Sequence, residues 1–352
     1  MIKRKRFWIG LIVTLICLYF VFRGIDFKKL FNIIKSINLK IFFITLIIYI
    51  FGYYIRSIRW HFLLKHIKNL KPEELFPYLV MGFMFNNILP ARAGEFIRAY
   101  ITGIKKNISK SSTFATIIIE RVFDGLIMIF YFLIGYMAFH YDYRILAKEQ
   151  LSFNMFGIQL GIKDAVTLFA IVGSVIFLLI FIICFFLINK KEKTVNFFHK
   201  LISFFPKRVT DLFNKLIDTF IEGFGVLRNI KDMIIVFFFS AFAWTMEVFS
   251  YYLMSIAMNI KMSFLLVALI MAVANFAIMA PSTSGGVGPF EFFGVGIMLL
   301  FSYPKEEATA YIVIIHSMIL LPIIFLGIIF IVTEGLDFQK LIKVKEEEKN
   351  EV

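Results

Sequence analysis

The sequence predicts an all-α polytopic membrane protein, with about six transmembrane helices plus two re-entrant hairpins in an inverted repeat. Three observations predict it. The 352 residues are 60% hydrophobic and only 18% charged, with a mean hydropathy of +0.84, whereas a soluble domain is roughly 45–50% apolar and about 25% charged. The apolar residues lie in continuous runs, unlike the alternating segments of a β-barrel. Two of those runs break at proline- and glycine-rich turns and then resume. The same composition excludes disorder and coiled coil for the bulk of the chain. It excludes a disulfide scaffold too, because the only cysteines, Cys17 and Cys184, sit inside apolar runs.

The elements follow in order. Phe7–Phe22 is apolar behind Lys3-Arg4-Lys5-Arg6 and is followed by Arg23-Gly24-Ile25-Asp26 rather than a small-residue cleavage site, so it reads as a retained first helix. Ile41–Ile55 is the second crossing. Tyr78–Pro90, 13 residues long, rises only about 20 Å, short of a core about 30 Å thick. It breaks at Pro90-Ala91-Arg92-Ala93-Gly94-Glu95 and resumes as Phe96–Gly103, which predicts a re-entrant hairpin. Ser112–His140 is the third crossing and Ala165–Ile188, uncharged, the fourth. Asn189–Asp232 mixes Phe and Leu with Lys at helical spacing and reads as amphipathic helix on the cytoplasmic leaflet. Met233–Ile260 is the fifth crossing. Ser263–Ala280 and Phe290–Tyr303, separated by Pro281 through Pro289, form the second hairpin, and Ala308–Val332 the last crossing.

Charge bias orients this layout. Asn189–Asp232 carries nine Lys and Arg and belongs in the cytoplasm, as do the N-terminus and the tail. Tyr141–Asp164, with three basic and three acidic residues, belongs outside. Arg23–Lys40, also placed outside, carries five Lys and Arg and is a mild violation. The expected domain is a single membrane unit over 1–335, with repeat halves about 7–140 and 165–332, the segment 189–232, and a charged cytoplasmic tail 336–352. The net charge of +14 lies mostly between apolar runs, where it sets topology and meets anionic lipid. Nucleic acid is not an expected partner.

Ionisable residues inside spans are costly and face each other or a cavity. Arg92, Glu95 and Arg98 recur every three residues and share one helix face. Glu120 and Asp124 share a face of the third crossing, with Arg121 beside them. Glu247 lies in the fifth crossing and Glu291 follows the second break. Two readings of these groups stand: internal ion pairs that lock the bundle, or a site in which Arg92, Arg98 and Arg121 capture phosphate while the carboxylates balance charge and carry protons. The turn Gly285-Gly286-Val287-Gly288 ahead of a helix offers backbone N–H groups to an anion. Arg56, Arg59 and Trp60 read as an interfacial anchor, and His316 as a satisfied core histidine. The scattered histidines give no zinc spacing, and no phosphate-binding GxxxxGK[ST] motif is present. No metal or other cofactor is expected.

The stretch Asn87-Ile-Leu-Pro90-Ala-Arg92-Ala-Gly94-Glu95-Phe-Ile-Arg98, the box Glu120-Arg121-Val-Phe-Asp124, and Pro281 through Gly285-Gly286-Val-Gly288-Pro-Phe-Glu291 resemble the lysylphosphatidylglycerol synthase transmembrane, or flippase-like, domain family. The Arg59-Trp60 end of the second crossing fits as well. The resemblance implies a flippase-like membrane domain. In bifunctional members that domain moves an aminoacylated lipid between leaflets and a soluble synthase domain follows, and one archaeal relative is tied to protein glycosylation through a polyprenyl-linked sugar. With only a short tail after 335, the expectation is a stand-alone member without synthase activity.

The expected function is therefore movement of an anionic phospholipid or polyprenyl-phosphate-linked lipid between leaflets of the cell membrane. The alternatives are a membrane-embedded transferase using a polyprenyl-phosphate-linked sugar, with Asp124 or Glu95 as base, or a non-catalytic partner of a separate lipid-modifying enzyme. The topology yields a direct check. In a background lacking Cys17 and Cys184, Lys148→Cys and Lys200→Cys label from opposite sides of the membrane; labelling from one side overturns the arrangement.

Overall fold

The computed structural model of the chain describes residues 5–89, 93–138, 152–155, 158–161, 175, 179, 230–278 and 284–337. The turn 90–92 with Arg92, the turn 279–283 and the tail from 338 lie outside the described residues. So do the crossing expected over Ala165–Ile188, apart from Val175 and Leu179, and the amphipathic segment up to residue 229. Apart from one short antiparallel hairpin the described elements are helical. That hairpin pairs β1 (Ser152–Met155) with β2 (Ile158–Gly161), with Ser152 opposite Gly161. It lies within the expected loop Tyr141–Asp164 and leaves the all-α class unchanged; Ser-Phe-Asn-Met and Ile-Gln-Leu-Gly alternate polar and apolar residues with the period of a strand.

The helices begin where polar caps precede apolar runs. α1 is Lys5–Phe22 and α2 is Phe27–Lys35. Asp26 caps α2 by accepting the backbone N–H groups of Lys28 and Lys29 at 2.9 and 3.1 Å. The segment read as an outside loop thus contains a helix, bent by 87° from α1. α3 is Leu39–Leu64, capped by Asn38. α4 is Pro72–Ile88, with Glu74 accepting the Lys71 N–H at 2.9 Å. α5 is Gly94–Lys106 and stops at Asn107, whose φ of 51° is left-handed. α6 is Lys110–Tyr136, α7 is Ile230–Ala257, and α8 is Phe264–Ala277, capped by Ser263. A 3₁₀ turn over Ser284–Gly286 leads into α9, Pro289–Leu300, and α10 is Lys305–Thr333.

Three of these, α3, Lys231–Ala257 of α7, and α10, are long and apolar enough to cross a membrane, and α1 with α2 qualifies as a bent pair. α6 has the length, at 27 residues, but its charged residues lower its hydropathy. The outer faces are apolar, and the largely apolar interior also encloses charged groups. Large hydrophobic side chains are exposed along the outer faces: Ile12, Leu15 and Tyr19 on α1, Ile47 on α3, Phe238 on α7, Phe325 and Val332 on α10. Arginine and glutamate are buried between the helices. That distribution suits a hydrocarbon solvent and places the protein in a membrane.

α3 and α7 form the most extensive helix pair. Around them α4 packs on α5 and α10, α8 packs on α9 and α6, α5 meets α6, α9 meets α10, and α1 lies against α9. The Lys305 ammonium donates to the Phe20 and Arg23 carbonyls at 3.0 and 2.7 Å, closing the end of α1. Two glycines set the approach of the inner helices: a Cβ on Gly135 of α6 would lie 2.6 Å from the Leu269 backbone, and one on Gly327 of α10 2.6 Å from Met84.

This spacing makes a contrast. Gly135→Leu forces α6 from α8, costs about 1–3 kcal/mol and lowers the unfolding temperature of the detergent-solubilised protein. Gly125→Ala, where a Cβ meets nothing within 4 Å, leaves it unchanged or slightly raised. Equal effects would refute the close approach.

Candidate functional site: a buried charge cluster beside the first hairpin

α3 carries Tyr49, Tyr53, Arg56 and Trp60 at spacings of four, three and four, one inward stripe on an otherwise apolar helix. Arg59 flanks the stripe. Both arginines are buried, and Arg59 is 0% exposed. The reading of Arg56, Arg59 and Trp60 as an interfacial anchor is therefore corrected: α3 continues to Leu64, so these residues lie inside the bundle rather than at its rim.

Arg59 reaches α6 and α7 together. Its guanidinium donates to Asp124 at 2.5 and 3.4 Å and to the Ser240 hydroxyl at 3.0 Å, and lies 3.1 Å from Glu120. Arg98 of α5 forms a two-pronged pair with Glu120, at 3.0 and 3.1 Å. Its Cζ sits 3.6 Å from the centre of the Trp60 ring. Arg121 donates to Glu120, lies 3.3 Å from Asp124, and faces Glu95 with its Nε 3.6 Å from Oε1. The Trp244 indole donates to Asp124 at 2.9 Å. Nearby, Arg56 donates to Glu247 at 2.7 Å, and the Asn275 amide approaches the other Glu247 oxygen at 3.3 Å.

Arg56, Arg59, Arg98 and Arg121 thus balance Glu95, Glu120, Asp124 and Glu247. The cluster has a closed side and an open one. Arg59, Arg98 and Glu120 side chains are sealed, whereas those of Arg121 and Glu95 are 27% and 19% exposed. Arg121 Nε and Glu95 Oε1 make no hydrogen bond to each other or elsewhere. At that edge part of the Arg121 side chain is exposed, while its Nε is buried and faces Glu95. Asp124, held by two guanidinium groups and an indole, has little freedom to act as a base; Glu95 has more.

Of the residues singled out in the sequence, Glu95, Arg98, Glu120, Arg121 and Asp124 come together, and Glu247 adjoins them through Arg56. Ser240, Trp244 and Asn275 were not among them, and Arg56, Arg59 and Trp60 read there as an interfacial anchor. The α3 stripe was the available signal, since an arginine in register with buried tyrosines faces the core. Arg92, in the turn two residues before α5, lies outside the described residues.

Gly285, Gly286, Gly288 and Glu291 belong to a separate group at the second hairpin. The Gly288 N–H is not free for an anion: it donates to Glu291 at 2.7 Å. A carboxylate three residues into a helix folds back onto the helix's own positive end. Glu291 also meets His316. The first hairpin is closed similarly, with the Gly94 N–H donating to the Asn86 side chain at 2.8 Å. Among the described residues no group of His, Cys, Asp and Glu is arranged to hold a metal ion.

The family profile described as Lysylphosphatidylglycerol synthase TM region matches residues 7–327. A UPF0104 membrane protein of Methanocaldococcus jannaschii is 31% identical over 144 residues, 39% of this chain and 42% of that protein. Glycosyltransferase AglD of Haloferax volcanii is 28% identical over 116 residues, 33% of this chain but 19% of its own length. The chain therefore spans less than half of the length of either. A UPF0104 membrane protein of Methanothermobacter thermautotrophicus is 22% identical over 312 residues, 85% of each chain. No solved structure matches.

The Arg56–Glu247 pair supplies a test of what the buried charges cost. Arg56→Met strands Glu247 in the bundle and destabilises by about 3–5 kcal/mol. The double variant Arg56→Met/Glu247→Met recovers most of that loss in thermal unfolding. A double variant no better than the single one would mean the pair does not act as a unit.

Proposed function

Because the chain belongs to the lysylphosphatidylglycerol synthase TM-region family, we propose that it moves an anionic lipid, a phospholipid or a polyprenyl-phosphate-linked lipid, between the leaflets of the cell membrane. The observation that carries this reading is the half-open edge of the charge cluster. Arg121, its side chain 27% exposed beside Glu95, presents part of a guanidinium at the edge of a bundle whose outer surface suits lipid. A lipid phosphate pairs with that exposed guanidinium while its acyl or prenyl chain stays in hydrocarbon. Arg92 and Arg98 add positive charge on the same hairpin. Glu120 and Asp124 hold the arginines, and Glu291 with Gly285, Gly286 and Gly288 shapes the opposite hairpin.

The proposal includes six crossings, two re-entrant hairpins and cytoplasmic termini. Exchange of α3–α6 for α7–α10 supports an inverted repeat. α4 on α10 corresponds to α8 on α6, α4 on α5 to α8 on α9, and α5 on α6 to α9 on α10. Arg56 and Glu247, which pair with each other, are 191 residues apart. Gly52 and Ala243, at the same separation, also adjoin across α3 and α7. Equivalent positions that touch lie near a pseudo-twofold axis, the layout of many secondary transporters.

The likeness to AglD favours a second reading, a transferase on a polyprenyl-linked substrate with Glu95 as base. A separate lipid-modifying enzyme is a proposed partner in either case.

Purified protein in liposomes, with labelled anionic phospholipid and labelled polyprenyl phosphate in separate runs, tests both readings. The wild type is expected to accelerate leaflet exchange without forming product. Folded Arg121→Gln loses about tenfold or more of the rate, the value of one charge-assisted hydrogen bond; Arg92→Lys, which keeps charge but not the planar fork, also weakens it. Product without exchange supports the transferase. Undiminished exchange in folded Arg121→Gln overturns the assignment of the site.

A further inference from the structure

The second hairpin contains a buried carboxylate whose neutralisation differs in kind from that of the carboxylates in the charge cluster. Glu120, Asp124 and Glu247 face arginines, which do not deprotonate in proteins. Among the described residues the ion-pair partner of Glu291 is His316, an imidazole rather than a guanidinium. Their side chains are 8% and 3% exposed, and the Phe290 ring stacks on the imidazole at 4.1 Å.

The hydrogen-bond geometry bears on the proton count. His316 Nε2 lies 3.0 Å from the Gly285 carbonyl oxygen, which only accepts, so Nε2 carries a hydrogen. His316 Nδ1 lies 2.5 Å from Glu291 Oε1. Two lone pairs do not approach so closely, so a proton lies between them. Whether it is drawn as imidazolium and carboxylate or as neutral ring and carboxylic acid, the pair holds one proton more than a neutral histidine beside an ionised glutamate.

That proton is tied to the shape of the hairpin. The other Glu291 oxygen accepts the Gly288 N–H, at a residue with φ of 99°. The Thr14 hydroxyl of α1 donates to Val287 at 2.9 Å. Gly285, which supplies the histidine's acceptor, abuts the Asn87 carbonyl at the tip of the first hairpin: a Cβ there would lie 3.2 Å from that oxygen. Among the described residues, other groups near the pair offer no fixed charge. α1 presents Cys17. α3 presents Tyr49, which donates to Ile319 on α10. α4 and the 3₁₀ turn present no titratable side chain here, and on α10 itself Lys305, Glu306 and Glu307 are at its start, more than two turns from His316.

We propose that Glu291 and His316 form a proton-binding site whose occupancy holds the second hairpin closed on the first, so that lipid movement is coupled to proton movement. On release, the Nδ1–H or Oε1–H bond breaks and the proton passes to water. The neutral ring and the carboxylate anion then face each other as two acceptors without a cation, an arrangement relieved by opening the turn to water. The coupling rests on the transport reading; the proton occupancy does not.

Two measurements separate them. In wild-type protein with ¹⁵N-labelled histidine in lipid bilayers, the resonances lost in His316→Gln identify His316 among the five histidines. Protonation at Nδ1 hydrogen-bonded to a carboxyl is expected at neutral pH, and its loss in Glu291→Gln, whose amide oxygen still accepts the Gly288 N–H and preserves the fold. A bare Nδ1 in the wild type overturns the site. In liposomes, an imposed pH gradient is expected to change the wild-type lipid-exchange rate about tenfold and to leave the His316→Gln rate unchanged. Wild-type exchange indifferent to the gradient overturns coupling while transport stands. A protonated pair with no exchange of any lipid supports the proton site and refutes transport.

Discussion

A guanidinium cannot be left alone in hydrocarbon, and this requirement organises the centre of the protein. Arg59 is completely enclosed, so α6 must supply Asp124 and Glu120 and α7 must supply Ser240 within hydrogen-bond reach. Arg98 brings α5 to the same carboxylate, and Arg56 brings α7 and, through Asn275, α8. Five helices are held in one relative arrangement by paired guanidinium and carboxylate groups. The aromatic rings of Trp60 and Trp244 complete the enclosure, one against the Arg98 guanidinium and one donating to Asp124. The energetic return of such a network is modest, because desolvation offsets attraction. Its value lies in specificity: any slip of one helix leaves a charge unmatched.

The network is not closed everywhere. Arg121 and Glu95 reach ion-pair distance without a hydrogen bond, on the side where exposure remains. A lock and a ligand contact are often set against each other as readings of buried charge. Here sealed members fix the frame, and the proposed ligand contact falls on the loosely joined pair at its edge. The second hairpin follows another logic. Its carboxylate caps its own helix and leans on a histidine, so its electrostatics depend on a proton rather than on a fixed cation.

The sequence by itself determined the membrane environment, most of the described helices and the two broken segments. Hydropathy and the positions of Pro and Gly are local properties, and the backbone must satisfy its own hydrogen bonds wherever water is absent. Crossings read at Ile41–Ile55, Met233–Ile260 and Ala308–Val332 lie within or overlap α3, α7 and α10, and both hairpin arms stand where the breaks place them. The helix at Phe27–Lys35 escaped notice because it is short and interleaved with lysines. Glu95, Arg98, Glu120, Arg121 and Asp124 were legible as a group because charge inside an apolar run is conspicuous. The partners were not. That Arg56 and Arg59 face inward, that Glu247 answers Arg56 from 191 residues away, and that Glu291 folds onto Gly288 and meets His316 depend on which helix faces pack together. Only the tertiary structure decided those faces, because the spacing of residues along a helix fixes their common side but not what stands opposite.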